Sequence, residues 1–252
     1  MKNIKKLVKT LAAVSTIGLG FATVSVSEAQ AVSLVPQREG EIELTNFDND
    51  PNFNCLSPGD CIDTETELGL GYTVTSLGFD DDFGLSRLFS DDRGTKDRYA
   101  MGIEFIADDE GTRPDAGQYF LRPVAFFKDG SVAEQGRLEV GKFEFDFGER
   151  TISEIKLDFF DVEYAKSTKI FVDGEPVQFV ENGDNGEFQT VVLKNLSKFT
   201  VQLGEPGGRF GHGDGVSLQV SVPESENLIG LSALAVAGVI TLKRRKTASR
   251  KA

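Results

Sequence analysis

The stretch KFEFDFG, Lys142 to Gly148, alternates aromatic and acidic side chains without interruption. Successive side chains of an extended chain point to opposite faces. Phe143, Phe145 and Phe147 therefore share one face, and Glu144 and Asp146 share the other. This pattern predicts a strand with its rings in a core and its carboxylates in water. The same alternation recurs on either side. Ile155, Leu157 and Phe159 line one face, while Phe160, Val162 and Tyr164 continue on the opposite parity, which predicts a β-bulge at Phe159-Phe160. Asp173-Gly174 supplies the positive φ angles of a type I′ hairpin turn, and Pro176 just beyond it marks an edge strand. Further strands are expected at 41–47, 70–78, 100–107 and 117–127, around Val191-Val192, and at Phe199 to Leu203 and Val216 to Val220. About eleven short strands with Gly, Asp and Asn turns, and no strand–helix alternation, predict an all-β chain. The expected architecture is an antiparallel β-sandwich, jelly-roll-like. No repeat of 20–50 residues is evident.

The two ends of the chain differ from this body. Lys2, Lys5, Lys6 and Lys9 precede the uncharged apolar stretch 11–24, and Ala29-Gln30-Ala31 offers small residues at Ala29 and Ala31. Those are the three parts of a secretory signal, with cleavage expected after Ala31. At the other end, the apolar run 228–242 is followed by Lys243, Arg244, Arg245 and Lys246, and the basic cluster extends to residue 251. As a helix the run rises about 22 Å against a hydrocarbon core of about 30 Å. It is short for a permanent anchor but sufficient for a transient stop, with the basic cluster held on the cytoplasmic side. The expected organisation is thus a signal peptide over 1–31, a β-sandwich body over 32–222, and a tail over 223–252 containing a short transmembrane helix.

Val222-Pro223-Glu224-Ser225, the short apolar segment and the Lys/Arg cluster together resemble a PEP-CTERM sorting signal. Ser225 stands where that family usually has a second proline. The resemblance implies an exported protein of Gram-negative bacteria, cyanobacteria among them, whose tail is recognised and cut by an exosortase. Within the body, Leu138-Glu139-Val140-Gly141 is similar to the signature of the LEVG group of PEP-CTERM proteins. That resemblance implies a secreted protein and supplies no activity.

Charge bounds the partners. Residues 32–222 carry seventeen Lys and Arg against thirty-seven Asp and Glu, a net charge of about −20. Such a surface repels phosphate backbones, which excludes nucleic acid, and it disfavours anionic membrane surfaces. Calcium becomes a plausible cofactor for an extracellular chain. Asp48, Asp50 and Asn52 place oxygen ligands at alternate positions, and Asp80 and Asp82 flank a second acidic cluster, although neither follows the EF-hand template. Each cluster reads equally as a solvated turn.

Cys55 and Cys61 enclose Leu-Ser-Pro-Gly-Asp. In an exported chain the pair reads as a disulfide across a small loop. Zinc wants four ligands and a redox dithiol wants two intervening residues, so both alternatives fit less well. No catalytic constellation stands out. His212 is the single histidine and no G-x-S-x-G elbow occurs. Asp158, Asp161 and Glu163 lie across the expected bulge and offer paired carboxylates for glycoside hydrolysis, or simply solvent-facing strand positions. The expectation is a non-enzymatic exported protein with a binding or structural role at the cell surface or in the extracellular matrix. Its processing partners are signal peptidase and exosortase, it touches the membrane through the C-terminal helix before cleavage, and extracellular polysaccharide is a candidate partner. The alternatives are a secreted glycan-active hydrolase and a calcium-dependent adhesion module.

Overall fold

A computed structural model describes residues 31–47, 55–79, 81–92, 94–105, 119–162, 166–183, 187–204 and 216–223. The strand expected from Lys142 to Phe147 is present as β7 (Gly141–Asp146). Phe143 and Phe145 are buried while Lys142, Glu144 and Asp146 are half-exposed. Phe145 lies opposite Phe199 on one neighbour and Val74 on the other. Its ring stacks on Phe199 at 5.0 Å between centroids, and Tyr72 packs on both Phe145 and Phe147. The Tyr72 hydroxyl donates to the carbonyl of Leu34 at 2.7 Å. Burial of the ring explains why its pKa stands above the ordinary tyrosine value.

The remaining strands are β1 (Ala31–Ser33), β2 (Gly40–Ile42), β3 (Cys61–Ile62), β4 (Thr73–Leu77), β5 (Arg87–Asp92) and β6 (Tyr119–Val124). After β7 come β8 (Ile152–Phe160), β9 (Lys169–Val172), β10 (Glu175–Phe179), β11 (Phe188–Leu196), β12 (Lys198–Leu203) and β13 (Ser217–Pro223). They form two sheets. One has the order β11-β8-β13-β6-β5-β2-β3, with β1 also paired to β13; the other has the order β10-β9-β12-β7-β4. All pairings are antiparallel except β2 with β3 and an isolated bridge between Leu44 and Val74. One core joins the sheets, with Leu121, Phe159, Leu218 and Val220 from the first meeting Phe143, Ile170, Phe199 and Val201 from the second. The chain is therefore all-β, as its alternation requires. Residues 1–30 and 224–252, which hold most of the expected signal peptide and tail, lie outside the described residues. Among the described residues no helix is long and apolar enough to cross a membrane.

Local expectations fare unevenly. Asp173 (φ 52°) and Gly174 (φ 83°) make the expected tight turn from β9 to β10, and β10 is the edge of its sheet with Pro176 in it. The bulge expected at Phe159-Phe160 is absent. Register runs unbroken there against both β11 and β13. Both rings are buried because β8 is covered on its two faces at this end, Phe160 lying near the Phe188 ring at 6.5 Å. The change of parity follows where the strand stops, at Asp161 with φ 62°. The strand expected over 100–107 is replaced at 100–102 by a 3-10 turn with Met101 and Gly102 at positive φ. Three strands went unread, the short β1 and β3 and the six-residue β5, which is buried on both faces.

Cys55 and Cys61 are joined by a disulfide, with their Cα atoms 5.6 Å apart. The seven-residue loop leads directly into β3. Closing a loop of that size stabilises by about 2 kcal/mol through the unfolded chain. Replacing both cysteines by alanine is therefore expected to lower the melting temperature by roughly 4–8 °C. Calorimetry checks this, and an unchanged melting point would show the loop already ordered without its bond.

Candidate ligand cleft

Strands β2, β5 and β6 carry the site. Their register sets Glu41 and Arg122 on either side of Phe89, and Arg87 beside Val124. Directly paired residues of an antiparallel ladder share a face, so these side chains project together on the face away from the common core. An apolar cap of Ile103, Phe105 and Phe126 covers them, with Tyr99, Leu56 and Val132 at its margin. The result is a buried charged layer. Arg122 is ion-paired to Asp91 at 2.8 Å and donates from Nε to Glu139 at 2.6 Å, with its guanidinium 4.5 Å from the Phe105 ring centroid. Arg87 is ion-paired to Glu41, which also accepts from the backbone N–H of Leu56 at 2.6 Å.

Burial decides the protonation of this layer. It pushes the Asp91 carboxyl up to about 7, against the opposing pull of Arg122, and the Asp97 carboxyl nearby adds to the rise. Asp91 Oδ1 is buried with no hydrogen-bond partner among the described residues, which also favours the neutral form. Burial raises Glu41 as well, and Arg87 and the Leu56 N–H pull it back.

The LEVG stretch acquires a physical account here. Leu138 and Val140 are buried in a small cluster with Ala125 and Ala133. Glu139 is the acid that meets Arg122. Gly141 opens β7 where a Cβ would lie 2.6 Å from the Phe143 ring and 2.8 Å from the Ser86 Cβ, so no larger residue fits without displacement.

Beside the charged layer lies a cleft of about 480 Å³. Its walls are Phe47, Leu56, Leu85, Met101, Phe126 and Phe127. Arg87 forms part of the floor, its guanidinium 4.6 Å from the Phe47 centroid and 5.8 Å from that of Phe126. Two features fix the outer wall. The Phe127 ring stacks on Phe83 at 5.3 Å, and Phe83 stacks on Phe79 at 5.9 Å, so a ring that is 40% exposed is held from behind. The turn after it is closed by Asp129, whose Oδ1 accepts from the N–H and hydroxyl of Ser131 at 2.9 and 2.6 Å. Lys128, at the tip of that turn, lines the cleft mouth. Among the described residues, no carboxylate, histidine or hydroxyl side chain is in the lining.

The sequence-derived candidates are distributed elsewhere. Asp48, Asp50, Asn52 and Asp80 lie outside the described residues, as do Glu163 and His212. Asp82 is exposed on the approach to β5. Among the described residues no three acidic, histidine or cysteine side chains are grouped to hold a metal. Asp91-Asp92, a further acidic pair in the sequence, forms the buried end of β5. Asp158 is engaged by Thr190 across the sheet on β11 and by Lys156 two residues back on its own strand. Ala31 is the first residue of β1, and Val222 and Pro223 end β13, where Ala31 pairs with Pro223 and Val32 with Val222. Glu224, Ser225 and the basic residues Lys243, Arg244, Arg245 and Lys246 lie outside the described residues, as does Ala29. Sequence reasoning missed the cleft because its parts are separated along the chain. The one local signal was the unusual run Phe126-Phe127-Lys128, two adjacent rings that a single-faced strand cannot both bury. Compared with family profiles, curated proteins and solved structures, the chain matches none.

Proposed function

We propose that the chain is an exported, non-enzymatic binding or structural protein, freed of its first 31 residues and sorted to the cell surface or extracellular matrix by its PEP-CTERM-like tail. The observation that carries this reading is the pairing of β1 with the last three residues of β13. Both expected cuts fall at the margin of that pairing: a cut after Ala31 gives up its pair with Pro223 but keeps Val32 with Val222 and Ser33 with Ser221. The disulfide supports the reading because such bonds persist in oxidising compartments. The strand order supports a jelly-roll body. From β6 onward the sheets read β6-β13-β8-β11 and β7-β12-β9-β10, the arrangement of two interlocked Greek keys. A binding role is supported by the cleft itself, whose described lining offers apolar walls with Arg87 and Lys128 among them.

The test is the intact mass of the protein recovered from membrane, surface and medium fractions of its own host. Loss of residues 1–31 together with a break near Pro223 is the expected result. A membrane-bound product that keeps Lys243 to Ala252 would overturn the sorting reading and leave a tethered ectodomain. Release of new reducing ends from extracellular polysaccharide, lost on changing a single carboxylate, would replace the binding role with a hydrolase.

A further inference from the structure

We infer that the cleft between the Phe126-Phe127 turn and the Met101 loop is a binding site for a small molecule with an aromatic or alkyl body and a single anionic group. Four observations converge on it. Its volume of about 480 Å³ suits one small ligand. Its walls expose apolar side chains that a soluble protein gains nothing by exposing, with Met101 52% and Phe127 40% accessible.

The walls are also preset. Phe127 is held by the Phe83 and Phe79 rings stacked behind it, so its free face needs little ordering to receive a ligand. Met101 sits at φ 60°, a left-handed conformation that costs free energy for a residue with a side chain, and this strain falls at the rim of the cleft.

Charge then selects the ligand. The chain carries a net charge of −13, yet among the described residues the charged side chains lining this cleft are Arg87 and Lys128. Arg87 is matched by Glu41, so its charge is neutralised at the floor. Lys128 has no ion-pair partner among the described residues, and the neighbouring Asp129 is turned into its own loop toward Ser131. One uncompensated cation at the mouth of an apolar cleft fits one anionic group on an apolar body. A cationic or polyanionic ligand fits neither the lining nor the acidic surface beyond it.

The probes are 8-anilinonaphthalene-1-sulfonate and N-phenyl-1-naphthylamine, which share their rings and differ by the sulfonate. Met1 and Met101 are the two methionines of the chain, so methyl-13C methionine gives a resonance that reports on the cleft directly. The sulfonate is expected to saturate at one molecule per chain and to move the Met101 methyl resonance. The uncharged amine is expected to bind about fivefold more weakly. Lys128→Glu, an exposed change at a turn, is expected to erase that preference without weakening the amine. Phe127→Ala is expected to weaken both probes about tenfold. Equal affinity for the two probes, or sulfonate fluorescence that leaves the Met101 methyl unmoved, would overturn the proposal. So would absence of binding at millimolar probe. These outcomes are independent of how the ends of the chain are processed.

Discussion

Arg122→Met is expected to destabilise the fold by about 3–5 kcal/mol, because it strands two buried carboxylates around an apolar side chain of similar length. Asp91 and Glu139 are 1% and 3% exposed, and Arg122 lies between them. The loss has a definite pH dependence. In the intact protein Asp91 is raised to about 7, above its value in the unfolded chain. A folded chain that holds its proton more tightly than the unfolded one is stabilised at low pH, and that contribution fades as pH rises from about 4 through about 7. Without Arg122 the opposing pull is gone and the slope steepens. The deficit of the variant is therefore expected to be larger at pH 8 than at pH 5, measured by urea unfolding at both. Asp91→Asn, which mimics the protonated acid, is expected to remove the contribution of this group to the slope. An Arg122→Met deficit below about 1 kcal/mol, or one equal at the two pH values, would mean that water reaches the layer and dissolves the argument.

Phe145→Ala is expected to cost about 3–5 kcal/mol and to lower the melting temperature by roughly 6–20 °C. The ring is 1% exposed, stacked on Phe199 and flanked by Tyr72, on an inner strand of a five-stranded sheet whose neighbours cannot collapse onto the space it leaves. Phe179 is the comparison. It is 46% exposed on the edge strand β10, and its replacement by alanine is expected to fall within about 0.5 kcal/mol of neutral. Similar losses for the two would contradict the division into core and edge.

That contrast also marks what could be read in advance. Phe143 to Phe147 announces its strand because one face meets the core and the other meets water, so the period of two is written in the residues. Asp173-Gly174 announces its turn because the backbone there needs positive φ, which is a local requirement. β5 obeys neither logic. Arg87, Ser90, Asp91 and Asp92 look like a polar loop, and their burial depends on partners at Glu41, Arg122 and Glu139 that local pattern does not supply. The stretch 100–107 errs in the other direction. Ile103 and Phe105 alternate like a strand, but they are buried as a cap over Phe89. The cleft needed both of these misread segments in place, along with a turn after β6, before its walls existed. The disulfide was legible because six residues of separation leave two sulfurs few other places to go.

The place where β13 leaves the sheet has a mechanical meaning. β13 is an inner strand, bonded to β8 along Ser217–Ser221, to β6 at Leu218 and to β1 over its last three residues. A pull applied to the chain beyond Pro223 acts along the strand, so the hydrogen bonds on both flanks resist in shear and share the load together. An edge strand pulled sideways would surrender them one at a time. A load entering the chain beyond Pro223 is thus met first by the part of the sheet best placed to withstand it.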